Sequence, residues 1–244
     1  MYRSIQGIVV LGDGLLGTEI QSQLKCDIIS RKQSEFDITK PETWYSFFIE
    51  TWHGTIFVKK YNTVINCIAN TDSYSDNKDE HWNVNYKFVH ELINFCNKWD
   101  IKLIHIGTDY LYAGNDKHDP TEDDVPVHAE YWYSYTKLLA DGIVQLLSND
   151  YLICRCTHKP YPFPYETAFV DRIGNFDYTH KIVELIIQLI EKNASGIYNI
   201  GTESKSIYDL VHRDNKHIKK AYTPDGFPTN TSMSIDKLNN LLNE

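Results

Sequence analysis

Apolar residues along the 244-residue chain fall into short continuous runs, separated by longer stretches in which they recur every three or four positions. The runs are "GIVVLG" (Gly7–Gly12), "CDIIS" (Cys26–Ser30), "TVINCIA" (Thr63–Ala69), "KLIHIGT" (Lys102–Thr108), "YLICRC" (Tyr151–Cys156) and "GIYNIG" (Gly196–Gly201). Runs of this length, bounded by turn residues, are expected to be strands, and the amphipathic stretches between them helices. The helices predicted are Leu16–Leu24, Glu42–Thr51, Asn83–Trp99, Trp132–Leu147 and His180–Lys192. In the third, Val84, Phe88, Leu92, Phe95 and Trp99 recur at helical spacing, and ordinary core packing accounts for that stripe. Strands alternating with helices predict an α/β protein with a doubly wound parallel sheet and helices on both faces.

The character changes after Cys156. "THKPYPFPYETAF" is rich in proline and aromatics and cannot continue as regular helix or sheet. It is expected to be a loop over the strand ends, where open parallel sheets bind ligands. It leads into a small lobe shared with the segment after Gly201. The expected division is a dinucleotide-binding domain over residues 1–156 and a mostly substrate-binding lobe over 157–244, with the strand at 196–201 able to return to the main sheet.

Charge and composition narrow the partners. A formal net charge of -9 with no block of Lys or Arg argues against nucleic acid, because phosphate backbones repel such a surface. No apolar run reaches the roughly 18 residues of a membrane span. The first strand follows the N-terminus almost at once, without a leader layout, so a cytoplasmic protein is expected. Five cysteines and ten histidines show no metal-ligand spacing. Cys154 and Cys156, on one strand face, are expected to be buried small hydrophobes.

Candidate chemistry begins at "VVLGDGLLGTEI", where Gly12, Gly14 and Gly17 follow a strand and open a helix. Glycines permit a tight turn and a close backbone approach to a pyrophosphate, and the helix N-terminus adds favourable partial charge. The end of the second strand, "IISRKQS", discriminates between cofactors. A carboxylate there would bind the ribose hydroxyls of NAD. The chain instead has Ser30, Arg31 and Lys32, with no carboxylate until Glu35. Arg31 is able to pair with a 2′-phosphate, so NADPH is expected in preference to NADH; the alternative is a solvated surface charge. Ser30 and Arg31 are accordingly candidate cofactor contacts.

"AEYWYSYTKLLADG" supplies the reactive group. Tyr133 and Lys137 stand one turn apart on one helix face. An ammonium beside a phenol favours the phenolate, which suits Tyr133 to proton transfer near neutral pH. Tyr135 has Leu139 at the equivalent position, and Tyr131 has Tyr135, so both are expected to pack or line substrate. A third element, "HIGTDYLYAG", places Thr108 and Asp109 at the end of a strand of the same sheet.

With the glycine turn, "VINCIANTD", "GTDYLYAG" and "YSYTK" in this order, the chain resembles the extended short-chain dehydrogenases/reductases, and among them the dTDP-4-dehydrorhamnose reductase-like group. The late segment "GIYNIGTESKSIYDL" resembles the strand and helix start that follow that group's substrate region. The resemblance implies a Rossmann-type fold and NADPH-dependent reduction of the 4-keto group of a nucleotide-linked 4-keto-6-deoxysugar, in rhamnose-type nucleotide-sugar biosynthesis. It implies that Thr108 bonds the substrate carbonyl, that Tyr133 protonates its oxygen, and that Lys137 holds the nicotinamide ribose and tunes Tyr133. Asp13, Leu15 and Leu16 would line the pyrophosphate turn, Asp37 and Ile38 the adenine site, and Ile68, Ala69 and Asn70 the cofactor cleft. Asp109 and His158 would touch the sugar. Leu11, Gly107 and Ser134 stand where the group usually has glycine, serine and glycine.

Two alternatives stay open. One is a bifunctional epimerase–reductase, although relatives that epimerise often carry cysteine where this chain has Tyr110. The other is a non-catalytic NADP(H)-binding regulatory subunit, which would have no need of Thr108, Tyr133 and Lys137 together. The expected partners are a nucleotide-diphosphate sugar and, in solution, a homodimer as one allowed state, with neither nucleic acid nor membrane.

Overall fold

The structure, a computed structural model, describes residues 7–54, 56–73, 75–114, 119–124, 126 and 131–244. All six predicted strands form: β1 (Ile8–Leu11), β2 (Asp27–Ile29), β3 (Thr63–Asn66), β4 (Lys102–Ile106), β5 (Tyr151–Arg155) and β6 (Gly196–Asn199). They make one parallel sheet in the order β6-β5-β4-β3-β1-β2. The register sets Val9 beside Val64 and Val64 beside Leu103, all fully buried, so this row across the central strands is wholly apolar.

The order of strands reverses at β1, which lies between β2 and β3. With right-handed crossovers this reversal puts the helix after β1 and the helices after β3 and β4 on opposite faces of the sheet. This is a Rossmann-type doubly wound fold. A crevice opens where the chain leaves β1 and β3 in opposite directions, and the glycine turn lies there.

Three helices serve this sheet: α1 (Leu15–Leu24), α2 (Phe88–Trp99) and α3 (Trp132–Leu147). The predicted bounds of α3 match. Ahead of α2 the helix begins earlier than predicted, with one turn at Lys78–His81 and a π-helical segment at Trp82–Lys87. Asp100, in the left-handed region with φ 52, ends α2 by donating its N–H back to Cys96 and Asn97 carbonyls. The predicted stripe is buried at Val84, Phe88, Leu92 and Phe95, and Trp99 is half-buried.

One predicted helix is not formed. Within Glu42–Thr51 only single turns occur, at Pro41–Thr43 and Tyr45–Phe48, and an antiparallel hairpin pairs Ile49–Trp52 with Ile56–Lys59. His53 and Gly54, with φ of 50 and 76, turn the chain back as a hairpin requires. Trp44, Phe48 and Phe36 nevertheless reach the core: Trp44 packs edge-on against Phe88 and Phe95, Phe36 edge-on against Phe88 and Phe48, and Phe48 lies tilted against Phe95.

The chain clusters into two compact units, one of Met1–Ile106 with Tyr131–Ile153 and one of Gly107–Glu130 with Cys154–Glu244. The second unit contains α4 (Thr179–Glu191), as predicted to within a residue, and α5 (Ile207–His212), α6 (Asp236–Asn243) and three two-stranded ladders. Its core gathers Ala168, Phe176, Tyr178, Ile207, Leu210, Val211 and Ile218. Cys154 and Cys156 are buried. Among the described residues no helix is long and apolar enough to cross a membrane.

Candidate active site

The glycine turn assigns a separate task to each glycine. Gly12 adopts φ 99, a left-handed conformation that disfavours any side chain, and its N–H donates to Ile29 O at 2.9 Å. Gly17 is needed for contact: a Cβ there would lie 2.0 Å from Gly12 O. Gly14 is the N-cap of α1, has no capping side chain on that helix, and has open space where a Cβ would stand. The first amides of a helix lack partners within it, so this end offers N–H donors and positive partial charge to an anion. Leu15 is exposed, Leu16 is buried, and Asp13 O accepts from Thr18 Oγ1.

A cleft of about 720 Å³ opens at this turn, lined from three loops. Gly12, Asp13 and Gly14 come from the first, Arg31, Lys32 and Glu35–Thr39 from the second, and Cys67–Ala69 from the third. Eight predicted cofactor contacts therefore share one cleft: Gly12, Asp13, Gly14, Arg31, Asp37, Ile38, Ile68 and Ala69. Its volume lies within the ~300–1,000 Å³ of small-molecule sites. Three features fit a dinucleotide: an uncapped helix end, a glycine with free space beside it, and two cations at the end of β2. Leu15, Leu16, Gly17, Ser30, Asn70, Tyr133 and Lys137 are not part of the lining.

Ser30 is buried, and its Oγ accepts from Gln33 N–H at 2.7 Å, so the hydroxyl shapes the turn that presents Arg31 and Lys32. Asp37 accepts from the N–H and hydroxyl of Thr39 and pairs with Lys40 at 2.9 Å. These bonds, the Thr39 hydroxyl first, hold its carboxyl well below the usual carboxylate range. Lys32, Glu35, Phe36, Thr39 and Cys67 line the cleft without having been predicted to. Glu35 and Phe36 lie in a loop without periodicity, and the single signal was their distance from the end of β2.

Tyr133 sits in the first turn of α3 and is half-buried. One turn later Lys137 is buried, with Nζ donating to Ile106 O at 2.6 Å. Asn85 was not predicted. It projects from the π-helical segment, and its Nδ2 donates to Asn70 O at 3.0 Å and to Thr136 Oγ1 at 3.1 Å, while its Oδ1 accepts from Asn70 N–H at 2.8 Å. One side chain thus ties the loop after β3 to α3 beside Lys137. Of the "AEYWYSYTKLLADG" segment, Ala129 and Glu130 lie outside the described residues.

In the second unit, Thr108 is buried and its Oγ1 accepts from Tyr110 N–H at 3.3 Å. The Thr108 hydroxyl lies 3.5 Å from Asp109 Oδ1, at the limit of a hydrogen bond. That oxygen takes a much shorter bond of 2.5 Å from Thr157, and Asp109 Oδ2 accepts from Thr231 at 2.9 Å. The Asp109 carboxylate is thus engaged internally. Gly107 lies against Arg155, where a Cβ would meet Cγ at 3.3 Å, a close fit for a larger residue. His158 is half-buried, and burial, followed by the charge of Lys159, lowers its pKa to about 4.

Known proteins share this fold. A curated dTDP-4-dehydrorhamnose reductase from Mycolicibacterium smegmatis is 26% identical over 246 residues, covering 88% of this chain and 72% of the relative. The crystal structure of a dTDP-4-dehydrorhamnose reductase from Bacillus anthracis in complex with NADP superposes with a TM-score of 0.78 at 18% identity, over 96% of this chain and 92% of that one. Another, from Clostridium acetobutylicum, gives 0.76 at 21% identity, over 94% and 90%. These structural likenesses establish the fold. The family model for the RmlD substrate binding domain matches residues 6–158, more than half of the sequence, and the chain belongs to that family.

Proposed function

We propose that the protein is an NADPH-dependent reductase of the 4-keto group of a nucleotide-linked 4-keto-6-deoxysugar, of the dTDP-4-dehydrorhamnose reductase type. The observation that carries this is the cleft at the glycine turn. It combines an uncapped helix N-terminus with Arg31 and Lys32 where an NAD-preferring site would place a carboxylate. Family membership and the named relatives support the sugar substrate.

When bound, the reduced nicotinamide supplies hydride to the substrate carbonyl carbon. The chain's own groups bind and move the proton. Arg31 and Lys32 hold the 2′-phosphate, and Gly12, Asp13 and Gly14 admit the pyrophosphate to the end of α1. Lys137 holds the nicotinamide ribose, and Tyr133 gives its phenolic proton to the carbonyl oxygen. Thr108 accepts a backbone N–H, and its own O–H would exchange the long 3.5 Å contact with Asp109 Oδ1 for that oxygen. The hydroxyl of Tyr110, which stands where epimerising relatives often have cysteine, is bonded by Arg172. This favours reduction without epimerisation.

The test is to mix the purified protein with NADPH and dTDP-4-dehydrorhamnose and to follow cofactor absorbance and sugar product. Stoichiometric oxidation of NADPH with formation of the 4-hydroxy sugar is expected. Binding of NADPH without turnover of any 4-keto nucleotide sugar would overturn the assignment in favour of the regulatory-subunit alternative.

A further inference from the structure

Two polar side chains buried among the apolar residues of β3 and β4 have no part in the scheme above. Asn66 and His105 stand opposite each other in the parallel register of the two strands, and each is 1% exposed. The imidazole of His105 lies between two nitrogens. Asn66 Nδ2 is 3.4 Å from its Nδ1, and Lys137 Nζ is 3.4 Å from its Nε2.

The far end of the Asn66 amide decides how this ring is protonated. Asn66 Oδ1 accepts the N–H of Ile68 at 3.0 Å, and turning the amide over would set an NH₂ group against that N–H. Nδ2 therefore faces the ring, and an amide nitrogen can only donate. His105 Nδ1 must accept, which leaves the single proton of a neutral imidazole on Nε2. Burial holds His105 well below its ordinary 6.5, so the ring is neutral near pH 7.

The Nε2–H then points at Lys137 Nζ. An ammonium has no lone pair to accept it, so two donors would confront each other in a buried site. A neutral amine accepts from Nε2–H while still donating to Ile106 O. Besides Lys137 itself, Tyr133 one turn earlier on the same face of α3 is titratable. Asn66 from β3 and Asn85 from the π-helical segment carry no charge.

We propose that His105 is a positioning residue for Lys137: locked by Asn66 as the Nε2–H tautomer, it steadies Nζ in the ligand-free protein and favours the neutral amine. Lys137 then takes up a proton from solvent when NADPH binds. Because Ile68 lines the cofactor cleft, Asn66 also joins this strut to the cleft wall. The role of His105 rests on the assignment of Lys137 to the cofactor site, whereas the first readout below needs no ligand.

Long-range proton–nitrogen correlation spectra of protein labelled with ¹⁵N-histidine, ligand-free at about pH 7, report the tautomer directly. A neutral His105 with its proton on Nε2 is expected; a proton on Nδ1, or on both nitrogens, overturns the proposal. The second readout is calorimetric titration with NADPH in buffers of different ionisation heat, at about pH 8, where a phosphate monoester is fully ionised. Wild-type protein is expected to take up a proton on binding. His105→Gln, whose side-chain oxygen can accept from an ammonium, is expected to lose that uptake with NADPH affinity changed by less than about threefold. Equal uptake in both proteins, or none in the wild type, overturns it. Failure of NADPH to bind at all would instead count against the cofactor-site reading and leave the tautomer to decide the role of His105.

Discussion

Replacing Gly17 with alanine tests the turn that forms the cofactor cleft. A Cβ at this position would lie 2.0 Å from Gly12 O and 3.3 Å from Val10 Cγ1. Carbon and oxygen settle no closer than about 3.3 Å, so α1 and the glycine turn would have to part by roughly 1.3 Å. The carbonyl belongs to a backbone held by the Gly12 N–H bond to Ile29 and cannot swing aside like a flexible side chain. Overpacking of this kind costs about 3 kcal/mol. For a chain of this length that corresponds to a fall in Tm of about 6–12 °C. Gly14→Ala is the control: its φ of -72 suits any residue, and its Cβ would meet nothing within 4 Å. Gly14→Ala is expected to melt within about 3 °C of wild type, while losing roughly tenfold in NADPH affinity because its methyl group enters the cleft. Thermal unfolding and fluorescence titration with NADPH check both variants. A Gly17→Ala protein that melts with the wild type would refute the close-contact reasoning, and a Gly14→Ala protein that binds NADPH normally would refute the placement of the pyrophosphate.

Three further outcomes follow from particular side chains. Changing Arg31 and Lys32 together to alanine is expected to weaken NADPH about tenfold and NADH little, measured as two dissociation constants; equal weakening would show that these cations do not read the 2′-phosphate. His158 and His105 are held neutral in the folded protein, whereas the unfolded chain takes up protons at both near the ordinary 6.5. Stability therefore falls as pH drops from 6.5, with the His158 share of about 3 kcal/mol fully lost below its folded value of about 4. Urea denaturation at about pH 7 and pH 5 checks this, and a flat or rising profile towards acid would contradict it. Trp44→Ala empties a fully buried site among Phe36, Phe88 and Phe95 and is expected to cost about 3–5 kcal/mol by the same assay.

The sheet was legible in the chain because its strands are buried on both faces, and an unbroken apolar run such as "GIVVLG" has few other uses. Arg31 was legible for a related reason: it follows β2 directly, so its place at the crevice is set by topology. The segment around Phe47–Thr51 misled because apolar spacing there fits one helical turn as well as a strand. His53 and Gly54 decided the matter through backbone conformation. Asn66 and His105 could be seen only as polar interruptions in "VINCI" and "LIHIG". Their meaning arises when the parallel register sets them opposite each other with Lys137 facing the ring. Asn85 is a similar case, since its partners Asn70 and Thr136 lie 15 and 51 residues away.

The central claim is that Tyr133 gives a proton to a 4-keto nucleotide sugar held beside NADPH. Single-turnover reduction of dTDP-4-dehydrorhamnose by wild-type protein and by Tyr133→Phe, with NADPH affinity measured in parallel, tests it most directly. The expected result is a rate at least about 100-fold lower in the variant, with NADPH bound as in the wild type. Reduction by Tyr133→Phe at the wild-type rate would contradict it.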